Sequence, residues 1–89
     1  MAKKRRKLNK DFEKKIYSSK KNVELVLAKI YDIDDEDIQK EYMSAFKGVV
    51  YLYDELNEEY DLKGFCDNSE ELLTNYKNAF NLFESEFEI

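Results

Sequence analysis

Eighty-nine residues, 39% charged and 43% apolar, with no proline and two glycines, describe one small helical domain rather than a turn-rich sheet protein or a disordered chain. The net charge of −5 conceals a split: residues 1–30 carry eleven Lys/Arg against three Asp/Glu (+8), and residues 31–89 carry four against seventeen (−13). The lack of histidine and the single cysteine, Cys66, rule out an assembled zinc centre and an internal disulfide, and no apolar run approaches the roughly 18 residues of a membrane span.

The chain begins with a basic arm, residues 1–8, expected to be disordered because nothing in MAKKRRKL can be buried. The basic residues are followed by Leu8-Asn9-Lys10-Asp11 and not by an apolar run, so no secretory leader is read here and a cytoplasmic location is expected. Residues 9–89 are expected to form a single helical-bundle domain.

The first helix is predicted from Asn9 to Tyr31. Asn9 suits the N-cap, and Asp11 and Glu13 fall in the first turn, where the helix dipole favours acids. Phe12, Ile16, Val23, Leu27 and Ile30 make its apolar stripe, with Val26 on the flank. Ser18-Ser19 marks a point where the helix is expected to bend, since serine hydroxyls compete for backbone hydrogen bonds. Lys10, Lys14 and Lys21 project from the opposite side as a basic ridge, near an outward Leu25.

The second helix is predicted from Asp34 to about Asp61, stopping at Lys63-Gly64. Ile38, Tyr42, Ala45, Phe46, Val49, Tyr53, Leu56 and Tyr60 recur in steps of three and four. At 1.5 Å per residue this helix is about 40 Å long. Asp32 or Asp34 is expected to cap it, and lysine followed by glycine is a stop signal. The third helix is predicted from Ser69 to about Glu84, with Asn68 and Glu71 as a capping box and Leu72, Leu73, Tyr76, Ala79, Phe80 and Phe83 on its apolar face. The sum is an all-α, antiparallel three-helix bundle with a long central second helix.

No catalytic chemistry stands out. The acidic run from Asp32 to Asp37 is not a calcium loop, because its sixth position is Asp37 rather than glycine and its twelfth is Met43 rather than glutamate. Cys66 has no histidine to activate it. The expectation is therefore a non-enzymatic chain with no cofactor and no metal.

Two surfaces remain. Asp54, Glu58 and Asp61 project opposite the core stripe of the second helix, with Glu55 and Glu59 on its flank. Rows of carboxylates on a rigid helix imitate a phosphate track. Met43, Val50 and Tyr51 are expected on the same outer face, beside Gly48, as an apolar anchor rimmed by acids. These eight side chains predict an inhibitor or regulator, phage- or plasmid-encoded. Its acidic face would block the basic groove of a nucleic-acid-processing host machine, in the manner of an anti-CRISPR protein. The bias toward Asn, Lys, Glu, Ile and Tyr fits an AT-rich origin of that kind.

The other surface is basic: Lys3, Lys4, Arg5, Arg6 and Lys7 of the arm with Lys10, Lys14 and Lys21 of the ridge. It supports a nucleic-acid-binding accessory protein as an alternative. A third reading, an immunity protein or antitoxin, suits any small charged helical bundle. Homodimerisation through the outer apolar residues is compatible with each, and none calls for a membrane.

Overall fold

The computed structural model describes residues 7–87 and contains three helices: α1 (Lys10–Tyr31), α2 (Glu36–Lys63) and α3 (Ser69–Glu86). Among the described residues there is no strand, only an isolated bridge between Lys7 and Gly64, in which Phe65 N–H donates to the Lys7 carbonyl. None of the described helices is long and apolar enough to cross a membrane. Of the basic arm, residues 1–6 lie outside the described region.

α1 starts where Asn9, in extended backbone, accepts a hydrogen bond from Phe12 N–H at 3.0 Å. Its buried stripe is Phe12, Ile16, Ser19, Val23, Val26 and Ile30, a strict alternation of four- and three-residue steps. Ser19 is the small rung of that ladder, 3% exposed. Its hydroxyl donates to the Lys15 carbonyl at 2.8 Å, and α1 runs unbroken through the serine pair. Val26 takes the buried place expected for Leu27, which is only half-buried. The three-residue step from Val23 keeps Val26 in phase with Ser19, whereas Leu27 lies about 100° further round.

Asp35, not Asp32 or Asp34, caps α2. Its Oδ1 accepts from Asp37 N–H at 2.9 Å and Ile38 N–H at 3.1 Å. The helix runs 28 residues and stops at Gly64, whose φ of 73° is open to glycine at little cost and whose N–H donates to the Tyr60 carbonyl at 2.7 Å. Phe46, Val49, Tyr53, Leu56 and Tyr60 are buried. Ile38 and Ala45, expected in this stripe, are exposed. The core begins at Tyr42, whose ring meets Phe83 and Phe87 at the end of α3, and Ile38 lies a full turn beyond that contact.

The turn into α3 also differs from expectation. Asn68 makes no side-chain cap. Ser69 Oγ instead accepts from Cys66 N–H at 2.9 Å, and Ser69 N–H donates to the Cys66 carbonyl at 3.0 Å. α3 then buries Ser69, Leu73, Tyr76 and Phe83 and continues to Glu86.

α2 packs against both α1 and α3, in a body of 57 × 22 × 18 Å. Aromatic rings fill both ends of the core. At one end Phe12 stacks on Tyr60 (5.6 Å between centroids) and meets Phe65 edge-on (5.1 Å). At the other, Phe46 tilts against Phe83 (4.8 Å), Phe83 stacks on Phe87 (5.0 Å), and Phe87 meets Tyr42 (4.8 Å). Tyr53 and Tyr76, 6.1 Å apart, bridge the middle. Each such ring removes enough apolar surface from water to contribute roughly 1.5–3 kcal/mol.

Candidate interaction surfaces

The outward side of α2 carries the acids that the spacing placed there. Asp54, Glu58 and Asp61 are exposed, whereas Glu55 and Glu59 are half-buried on the flank. Glu59 forms an ion pair with Lys63 at 3.0 Å, one helical turn on, and that contact holds the lysine above its ordinary pKa. Tyr51 stands out among the acids at 64% exposed.

Met43 and Val50 do not join it. Both are half-buried and packed against the core, so their expected place on the outer face is wrong. The reason is geometric. A helix covered from two sides buries an arc wider than a single stripe, and Met43 and Val50 fall on its shoulder. In their place the structure brings out Leu62, 72% exposed. Tyr51, Glu55, Glu58 and Leu62 follow one another by four, three and four residues, so they share one line along the helix, three of them exposed and Glu55 half-buried. That series was present in the sequence, but Leu62 reads there as the last residue before the stop signal.

Gly48 is exposed, and a Cβ added to it would meet nothing within 4 Å. The fold itself therefore gives no steric reason for glycine in mid-helix. Beside it Ala45, Leu52, Ala79 and Leu82 line a shallow hollow of about 210 Å³ between α2 and α3.

On α1, Lys10, Lys14 and Lys21 are all exposed. Tyr17 completes the line, with the Lys21 ammonium 5.1 Å from its ring centroid, a cation–π contact. Lys7 sits beside Gly64 through the backbone bridge, while Lys3, Lys4, Arg5 and Arg6 lie outside the described residues. Lys14 also belongs to the wall of a larger hollow of about 630 Å³ between α1 and α3, which the sequence did not reveal.

Titratable groups inside the bundle are phenols. Burial pushes Tyr76 up to about 12, and its hydroxyl donates to the Ser19 carbonyl at 3.2 Å. Tyr53 is raised by burial first and then by the negative charges of Asp54 and Glu24. Among the described residues no group of three or more His, Cys, Asp or Glu side chains is placed to hold a metal ion. The Cys66 thiol donates to the Gly64 carbonyl at 3.4 Å within its own turn.

The described residues thus present an acidic helical face on α2 and a basic one on α1. No protein-family model, no curated protein and no solved structure matches the chain.

Proposed function

We propose that this chain is a non-enzymatic, phage- or plasmid-encoded inhibitor or regulator that works by binding another protein in the cytoplasm. The exposed face of α2 lies along the basic groove of a nucleic-acid-processing machine, as in an anti-CRISPR protein. One observation carries the reading: Asp54, Glu58 and Asp61 stand exposed on the stretch of α2 that runs from Tyr51 to Leu62, both of which are also open to solvent. Successive turns of a rigid helix hold these carboxylates about 5.4 Å apart, so their charge is already positioned before a partner arrives. Tyr51 and Leu62 supply apolar surface at each end of the acidic row.

The reading includes an antiparallel bundle with α2 in the middle. Supporting it are the meeting of Phe12 in the first turn of α1 with Tyr60 in the last turn of α2, and that of Tyr42 near the start of α2 with Phe87 just past α3. That arrangement leaves one side of the longest helix to solvent along its length.

The test is a pull-down from a low-GC bacterial lysate, nuclease-treated, using the chain and its Asp54→Lys/Glu58→Lys variant. A nucleic-acid-processing enzyme retained by the chain and lost by the variant, with unchanged circular dichroism, is the expected result. Retention by both would sink the reading.

The ridge of Lys10, Lys14, Tyr17 and Lys21 favours a second reading, a nucleic-acid-binding accessory protein. Removing residues 1–6 and reversing Lys10 and Lys21 would then abolish nucleic-acid binding while leaving any partner of α2 bound.

A further inference from the structure

α1 and α3 flank a groove to which α2 contributes no lining residue. Its lining mixes apolar and polar side chains: Val26, Tyr76 and Ser19 are buried, Phe80 is half-buried, and Leu25 lies open at 56% exposed. Its rim is cationic, with Lys14, Lys15, Lys29 and Lys77 against Glu84 alone. The α1 wall recurs at Lys15, Ser18, Asn22, Leu25 and Lys29, steps of three and four that extend over about 21 Å.

We propose that this groove is the docking site for an acidic amphipathic helix of a partner protein. A helix laid there packs against α1 and α3 together and completes a four-helix arrangement. The four lysines select an acidic flank, and Leu25 and Phe80 select an apolar face. Nucleic acid meets only half of that description. Phosphates gain from the lysines but not from Leu25, and Tyr76 at 2% exposed offers no face on which a base could stack. The basic arm does not suit the groove either, because Lys3, Lys4, Arg5 and Arg6 carry the same charge as its rim. The proposal is independent of the α2 reading, since none of the acidic side chains of α2 lines the groove.

The experiment uses the full chain and a fluorescein-labelled peptide of three heptads, with leucine at the two apolar positions and glutamate beside them. Anisotropy is read with the peptide kept below its own self-association. Saturable one-to-one binding is expected. It should weaken at least tenfold in Leu25→Asp, at least tenfold in Lys29→Glu/Lys77→Glu, and remain unchanged in Asp54→Lys/Glu58→Lys. All the substituted side chains are exposed, and unchanged circular dichroism checks the fold. No saturable binding, or equal binding by the peptide with lysine in place of glutamate, overturns the proposal. So does a single-stranded oligonucleotide that binds more tightly than the peptide and loses its affinity in the same lysine variants. Concentration-dependent self-association in sedimentation that Leu25→Asp abolishes would overturn it in favour of a second copy of the chain.

Discussion

The two ends of the core are built from the same residue types but held differently. Where α1 begins and α2 ends, Phe12, Tyr60 and Phe65 are tied down by polar bonds. Tyr60 Oη donates to Glu13 Oε2 at 2.7 Å and accepts from Asn9 N–H at 3.0 Å, so the cap of α1 is fastened to the last turn of α2. Where α2 begins and α3 ends, Tyr42, Phe46, Phe80, Phe83 and Phe87 meet ring to ring, and Gln39 Nε2 reaches across the α1–α2 turn to the Ile30 and Tyr31 carbonyls. The first end specifies geometry through directional bonds. The second adds the Gln39 bonds to a larger cluster of rings, in whose close packing volume matters more than orientation.

The largest break in that comparison is Phe46→Ala. Phe46 is 0% exposed and touches both Phe80 and Phe83, so truncation leaves a cavity among rings that cannot all collapse into it. A loss of about 3–5 kcal/mol is expected. For an 89-residue domain of ordinary stability, about 5–15 kcal/mol, that removes much of the folding free energy. Urea unfolding followed by circular dichroism measures it, and a loss under about 1 kcal/mol would show that the ring cluster is not the packed end.

Tyr60→Phe tests the other end at constant volume. The ring stack on Phe12 remains, while the bonds to Glu13 and Asn9 disappear. About 1–2 kcal/mol should be lost, because one of the bonds goes to a carboxylate. Amide exchange should quicken at Phe12 and Glu13, whose N–H groups donate to the Asn9 cap, while that of α3 is unchanged. Equal quickening at both ends would mean that the polar bonds do not act locally.

Much of the chain's architecture is legible in its sequence because local signals agree with one another there. Asn9 with Asp11 and Glu13, and Lys63 with Gly64, mark helix ends within a residue or two. Other details depend on contacts that a linear reading lacks. Four aspartates lie between Asp32 and Asp37, and each resembles a cap. Asp32 is used up as the C-cap of α1, which leaves Asp35 positioned for α2. Met43 and Val50 look outward on a helix with one covered side and turn inward on a helix with two. The α1/α3 groove was invisible because its walls come from residues 14–29 and 76–84, and Lys77 looks isolated until α3 lies beside α1.

The middle of the bundle sharpens the contrast through pH. Tyr76, pushed up to about 12 by burial, stays neutral in the fold, whereas in the unfolded chain it ionises near 10. Its contribution is therefore complete below pH 10 and is lost as pH rises through about 12. The melting temperature should fall by several degrees across that window, and less steeply in Tyr76→Phe, which cannot ionise. An identical fall in both would assign the alkaline transition elsewhere, with Tyr53 as the next phenol to test, since burial raises it too.

Gly48→Ala gives the smallest effect and the only gain. Glycine inside a helix costs about 0.5–1 kcal/mol relative to alanine, and at this position the new methyl group meets no atom within 4 Å. The isolated chain should therefore become more stable by about that amount, read as an upward shift in melting temperature. Neither end of the core should change, because Gly48 faces solvent between them. Placed in the pull-down, the same variant reports on function. Lost partner capture by a stabilised chain would mean that a partner's backbone approaches α2 at Gly48, through the hollow lined by Ala45 and Leu82. Undiminished capture would confine the binding surface to the acidic stretch from Tyr51 to Leu62.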